Sequence, residues 1–299
     1  MMLKDILMNV GVLIFLLGIA GVAREICHIL YEYGHETKSR KALHVADTAA
    51  GIAAYCCLSN LGLVFSYLCV SLDAPLIDPY LIRLDAMLGF DWERLYRWVH
   101  SHQDAQTVLA LAYDSLLWQS AVIPLFLGLF GYREYLAKYL FCMMLATFLA
   151  IFVSTPFPAE GAFVHFNIND PGTASNTSYF GLLRSGAMRL FDLGQVQGLI
   201  AMPSLHTAYA IIFIYALRHI AFLFPFSALL NLVMVASTPT QGGHYLVDVI
   251  AGVLLAAIVI GVAERLKLFE PLRHVKLGRD DGEAPRPLVA AGSASCAEP

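Results

Sequence analysis

Charge is what this sequence has least of. Asp, Glu, Lys and Arg supply 14% of its 299 residues, against about 25% in an ordinary soluble domain. Hydrophobic residues make up 58% and mean hydropathy is +0.65. So few charges cannot coat a soluble surface of this size, and the chain reads as a polytopic membrane protein. The shortage of Lys and Arg, with a net charge of −4, removes nucleic acid as a partner. The six cysteines include no CxxC pair and join no His/Cys cluster, which excludes a zinc motif and a disulfide framework. A small-residue cleavage site is missing after the apolar run that ends at Ala23, where Arg24 and Glu25 follow. That run is therefore a retained span and not a signal peptide. No internal repeat is visible.

Long apolar runs, by contrast, are abundant. About 20 apolar residues cross roughly 30 Å of hydrocarbon, and seven stretches qualify: 5–23, 46–70, 106–130, 134–154, 203–221, 222–240 and 245–263. The expected fold is an all-α membrane bundle of seven transmembrane helices. Residues 1–45 would form an N-terminal span and a basic cytoplasmic loop, 46–276 the core, and 277–299 a disordered cytoplasmic tail rich in Gly, Pro and Ala. Thirteen of the 19 Lys and Arg residues fall on the side of loop 24–45 and the C-terminus. That side is cytoplasmic by the positive-inside rule, and the N-terminus faces out. Two non-spanning stretches then lie outside. Residues 73–104 mix apolar residues with Asp and Arg at helical spacing, and Trp92, Tyr96 and Trp98 suit a helix lying in the interface. Residues 155–202, rich in Pro, Gly, Asn, Ser and Thr, make a connection so long that it is either disordered or functional. Within it, Asn176-Thr177-Ser178 fits a glycosylation acceptor.

This topology brings the starts of the fifth and seventh spans, "MPSLH" and "GGHYLVD", to one outer surface. Two helix N-termini aimed at one region favour an anion, with phosphate the natural guest, and Pro203 suits a first helical position. His244 and Asp248 are four apart and share a helix face, so the carboxylate can hold one ring nitrogen and leave the other to attack. His206, on the other helix, can donate a proton to a leaving oxygen. Charge on the transferred group would be held by Arg184 or Arg189, with Ser204, Ser237, Thr238 and the backbone N–H groups around Gly242 and Gly243. Asp114, near the outer end of the third span, is a further pocket candidate. His28, His35, His44, His219 and His274 fall on the cytoplasmic side, and His100, His102 and His165 match no motif. His244 and Asp248 could also ligate zinc, but a catalytic zinc takes three protein ligands. With His206 as the third, no carboxylate remains as base, so neither a metal nor a cofactor is expected.

"PSLH" at 203–206 and "STPTQGGHYLVD" at 237–248 together resemble the second and third signatures of the type 2 phosphatidic acid phosphatase superfamily. The spacing from Ser237 to His244 to Asp248 matches in full, and the resemblance covers roughly residues 105–265. It implies that His244 is a nucleophile forming a phosphohistidine, Asp248 its orienting partner, and His206 the general acid and then base. Two departures stand out. Thr238 occupies a position that is usually Arg, and no Lys, six residues, Arg-Pro sequence is present. Leu205 in place of Gly is similar to the branch that includes inositol phosphorylceramide synthases, with "FPAEGAF" at 157–163 and "LLRSG" at 182–186 making Arg184 the preferred substitute cation. The resemblance implies a lipid phosphatase of an inner-membrane type, acting on a phosphorylated lipid in the bilayer at the extracytoplasmic face. A head-group transferase is the alternative, and a non-catalytic lipid transporter or binding protein a third. Water and an alcohol acceptor need the same three residues, and the oligomeric state is not specified.

Overall fold

The computed structural model describes residues 2–168, 179–188 and 198–266, and every regular element among them is a helix. The expected tail at 277–299, the Asn176 sequon and Arg189 lie outside the described residues. α1 (Met2–Glu32) and α2 (Glu36–Val70) form an antiparallel hairpin, pinned where Ser39 Oγ donates to the Cys27 carbonyl at 2.9 Å. The expected basic loop at 24–45 is therefore mostly helix, and the boundary drawn at residue 45 falls inside α2. Glu, Lys, Arg and Leu in this stretch are good helix formers, so both helices run on past their apolar segments.

The chain continues through α3 (Asp78–Met87), α4 (Trp92–Ser101), α5 (Gln103–Leu129), α6 (Arg133–Ser154) and two short turns of helix, α7 (Ala162–His165) and α8 (Phe180–Arg184). It ends in α9 (Leu205–Leu217), α10 (Phe224–Gly242) and α11 (Leu246–Arg265). Five helices, α1, α2, α5, α6 and α11, are long and apolar enough to cross a membrane. Of the seven expected spans, the two that correspond to α9 and α10 fall short of that measure among the described residues. α9 has 13 residues, about 20 Å at 1.5 Å per residue, because the Ser204 cap stops it at one end and a turn at residues 218–223 at the other. α10 carries Ser227, Asn231, Ser237, Thr238 and Thr240, all buried, while Phe226, Leu229 and Leu232 are exposed, so its polar residues lower its mean hydropathy but face protein and its outward face is apolar.

α9 and α11 run parallel and in contact. At one end the Ser204 N–H donates to the Asp248 carbonyl at 3.1 Å; at the other, Tyr215 Oη and Arg218 Nη2 both donate to Glu264. α6 runs antiparallel to both, with Lys138 Nζ 2.8 Å from Glu264 and Thr147 Oγ1 2.5 Å from Tyr209 Oη. α5 lies antiparallel to α10 through side-chain amide pairs, Asn231 Nδ2 to Gln119 Oε1 at 2.8 Å and Gln241 Nε2 to Gln106 Oε1 at 3.1 Å. Paired amides suit an apolar interior, where an unmatched donor is costly.

A close approach to the backbone of a neighbouring helix start is made by Gly252 on α11. A Cβ there would lie 2.5 Å from the Ser204 carbonyl oxygen and 2.8 Å from Thr207 Cβ. Backbone cannot yield as a flexible side chain can. Gly252→Ala should therefore push α9 off α11 and cost about 1–3 kcal/mol, read as a lowered melting temperature in detergent.

Residues 73–104 form two helices where one interfacial helix was expected, with the break at Gly89, whose φ is +74°. Asp91 caps α4 by accepting from the Arg94 N–H at 2.9 Å. On α3, Asp78, Leu81 and Asp85 are buried, whereas Tyr80, Leu84 and Met87 are exposed. Its acids face protein and its apolar side faces outward, the reverse of a soluble amphipathic helix. Trp92 and Tyr96 also differ from the interfacial role expected for them. They are buried, Trp92 stacks on Phe166 with ring centroids 5.1 Å apart, and its Nε1 donates to the Pro239 carbonyl at 3.0 Å. Only Trp98 of the three stays exposed.

Candidate functional site

The helix ends that carry the two motifs meet around a cavity of about 700 Å³. Ser204 is the N-cap of α9, its Oγ accepting from the Thr207 N–H at 3.4 Å and from Thr207 Oγ1 at 3.2 Å. That cap starts the helix one residue before His206, so Pro203 precedes the cap and does not occupy the first helical position. His206 stacks on Tyr113 of α5, ring centroids 4.0 Å apart and planes within 10°. Stacking fixes the plane of the imidazole, and both rings line the cavity.

His244 also differs from its expected setting on a helix, since it lies just before α11, whose N-cap is Tyr245. α10 ends at Gly243, left-handed with φ +66°. A Cβ at Gly243 would come 2.4 Å from the Phe163 ring, so this turn needs glycine twice over. It presents His244 to the cavity while leaving it 5% exposed. Its Nδ1 faces Asp248 Oδ2 at 3.6 Å, and Asp248 is fully buried, held as Oδ2 accepts the Tyr245 N–H at 2.9 Å. Among the described residues, His244 Nδ1 and Asp248 Oδ1 have no hydrogen-bond partner. The remaining ring nitrogen of His244 is left for the cavity. The His206 and His244 ring centroids are 6.4 Å apart.

The cavity runs from this pair between α2, α5 and α6, past Tyr55, Leu63, Leu116 and Ile151. Leu117 lines it and is 75% exposed on the outer surface. The space therefore connects polar chemistry at one end with an apolar flank at the other.

The anion-holding groups are arranged differently from the expectation. Ser237 Oγ donates to the Met234 carbonyl at 2.7 Å and Thr238 Oγ1 to the Val235 carbonyl at 2.8 Å. Thr238 thereby takes up the carbonyl whose partner N–H is absent at Pro239. Neither hydroxyl lines the cavity, nor does Ser204, whereas Gly242 and Gly243 do. Arg184 pairs with Asp73 at 2.7 Å, lies over the Phe180 ring at 5.6 Å and is not a lining residue. Asp114 is exposed and points away from the lining.

The two helix N-termini also differ from each other. At α11, Asp85 Oδ2 accepts the Leu246 N–H at 2.9 Å and Oδ1 the Val247 N–H at 3.0 Å. With Asp248 on the Tyr245 N–H, the first-turn donors of α11 are taken by protein carboxylates. At α9, the N–H groups of Leu205 and His206 have no acceptor among the described residues. The donors for an anion are thus those of α9. Asp85→Ala would strand two amides at α11 and should cost about 1–3 kcal/mol, again read as a melting shift.

Three residues escaped the sequence reading. Tyr113 lies beside the noted Asp114, and only the position of α5 shows that the ring rather than the carboxylate turns inward. Asp78 accepts from the Glu160 N–H at 3.0 Å, the Gly161 N–H at 2.9 Å and Tyr245 Oη at 3.0 Å, tying α3 to the 155–161 loop and to α11. Glu160, inside the quoted "FPAEGAF", lines the cavity. Burial pushes its carboxyl above the ordinary range, the Asp78 carboxylate adds to that shift, and Arg184 opposes it.

No curated protein and no solved structure gives a significant match to the chain. A family model for the PAP2 superfamily matches residues 79–262, which spans both histidine motifs, α3 and the capping carboxylates. With more than half of its length so matched, the chain belongs to the PAP2 superfamily, and its activity is of the phosphatase or phosphotransferase type.

Proposed function

We propose that this protein is a membrane lipid phosphatase that works through a phosphohistidine on His244. The observation that carries the reading is the pair of imidazoles from two parallel helix starts, facing one cavity 6.4 Å apart with Asp248 behind one of them. In-line transfer needs an attacking and a leaving atom on opposite sides of phosphorus, each about 3–3.5 Å from its catalytic group, and that spacing accommodates one phosphoryl group. His244 attacks phosphorus. Asp248 orients the ring and stabilises the charge it acquires. His206 protonates the leaving oxygen and then takes a proton from water, which attacks the phosphohistidine and restores His244. The N–H groups of Leu205 and His206 at the α9 start meet charge on the phosphoryl oxygens. Ser204, Ser237 and Thr238 act as builders of the two helix ends.

The apolar flank at Leu63, Leu116 and Leu117 suits the acyl chains of a lipid that enters from the bilayer. Basic residues support an extracytoplasmic site. Arg24, Lys38, Lys41, Arg133, Lys138, Arg218 and Arg265 belong to the end away from the cavity, and only Arg83, Arg94, Arg97 and Arg184 to the cavity end among the described side chains. A head-group transferase is the second reading, favoured by Leu205 in the "PSLH" motif and by polar lining from Ser59, Asn60 and Gln241 that could seat an alcohol.

Purified protein in mixed micelles should be given phosphatidic acid, an isoprenyl pyrophosphate, and a phosphodiester lipid with and without an alcohol such as ceramide. The phosphatase reading expects phosphorus-oxygen cleavage that does not depend on the alcohol. Cleavage that needs the alcohol supports transfer instead, and cleavage that survives in His244→Ala contradicts both.

A further inference from the structure

The charge of the cavity is the reverse of a phosphate trap. Among the described residues that line it, none is Lys or Arg, and Glu160 is the one carboxylate. Arg184, whose charge acts on Glu160 without lining the cavity, is paired with Asp73 at 2.7 Å. Glu160 is not a loose surface acid. Its own N–H and that of Gly161 are both held by Asp78. Gly161, with φ +98°, backs onto the Gly243 carbonyl, to which the Ala162 N–H donates at 2.8 Å. The loop bearing Glu160 is thus bonded to the residue that precedes His244. Phe163 lines the same space, together with Tyr113, on which His206 stacks, and Phe180, over which Arg184 lies, and an aromatic face beside a carboxylate is a favourable seat for an organic cation.

We infer that the donor lipid carries an ammonium group on its phosphate-linked head group, with that ammonium against Glu160 and the aromatic rings while the phosphodiester lies between His206 and His244. This rests on the phosphohistidine reading and moves its substrate from a phosphomonoester to a phosphodiester, cleaved as a phospholipase C cleaves it. A phosphomonoester would bring up to two negative charges beside Glu160, with no Lys or Arg among the described lining residues to meet them. A zwitterionic head group brings no net charge, and it supplies the cation that this sequence lacks at Thr238. In the reaction His244 nitrogen bonds to phosphorus as the bond from phosphorus to the diacylglycerol oxygen breaks. His206 gives that oxygen its proton, and diacylglycerol leaves. Water, losing a proton to His206, then attacks phosphorus and displaces His244, releasing the phospho-amino alcohol.

The test compares phosphatidylethanolamine and phosphatidylcholine with phosphatidic acid and phosphatidylglycerol, all dioleoyl, in mixed micelles. Diacylglycerol is counted per protein so that a single turnover registers. Wild type should favour the two ammonium-bearing lipids by at least about tenfold in rate, the equivalent of roughly 1.4 kcal/mol. Glu160→Gln should collapse that ratio, and Glu160→Asp, which keeps the charge, should retain most of it. Preference for phosphatidic acid or phosphatidylglycerol in wild type, or a ratio unchanged in Glu160→Gln, overturns the inference alone. No diacylglycerol from any of the four lipids in wild type likewise overturns the inference alone, whereas release that persists in His244→Ala overturns the phosphohistidine reading as well.

Discussion

His244→Ala should lower kcat by at least about 10³-fold, since removing a nucleophile leaves only binding and the oxyanion donors to accelerate the reaction. The ring is 5% exposed and lines the cavity, and its Nδ1 has no hydrogen-bond partner among the described residues. Its removal breaks no side-chain hydrogen bond and takes from Asp248, still held by the Tyr245 N–H, only an ion pair 3.6 Å long, so the variant should melt close to wild type. Measuring kcat and thermal melting on the same preparation separates the two. Loss of turnover with an unchanged melting curve is the expected result. A variant that keeps more than about a tenth of wild-type kcat would show that another group attacks phosphorus.

His206→Gln should cost about 10²- to 10⁴-fold, the usual worth of a placed general acid. This loss should depend on the leaving group. A lipid alcohol leaves as a strongly basic oxygen and needs the proton, whereas p-nitrophenol leaves without one. Comparing kcat/KM for a lipid and for a p-nitrophenyl phosphate ester should show the large penalty on the lipid and a much smaller one on the aryl ester. Glutamine keeps a polar planar group against Tyr113, where His206 stacks at 4.0 Å, so the helix start should be preserved. Equal losses on both substrates would assign His206 to binding and not to proton transfer.

The proposed trio, His206, His244 and Asp248, could be picked out in the sequence because its information is local. His206 is two residues past a cap-forming serine, and His244 and Asp248 are four apart, so short spacing alone places the residues that matter. Their surroundings depend on partners distant in sequence. "GGHYLVD" reads as an open helix N-terminus, yet Asp85, far upstream on α3, satisfies its first donors. Arg184 reads as a phosphate clamp, yet Asp73 binds it. A charge in an apparently amphipathic stretch reads as solvated, but α3 lies with its apolar face outward, which turns Asp78 and Asp85 into the core. Two of the seven expected spans fall short in length or hydropathy for a related reason. A hydropathy window sums apolar residues across Pro203 and Ser204 and past Leu217, and so cannot see that capping and turn geometry confine α9 to 13 residues. In α10 the buried Ser227 and Asn231 are hidden among apolar neighbours.

Covalent labelling puts the central claim to its most direct test. Wild type, His206→Gln and His244→Ala should each be mixed with a phospholipid labelled at phosphorus, quenched in alkali where a phosphoramidate survives, digested and mapped. The account predicts label on the peptide that contains His244 in wild type, lost on acid treatment and absent from His244→Ala. Label on the His206 peptide, label that persists in His244→Ala, or turnover by wild type with no labelled protein at any time point would contradict it.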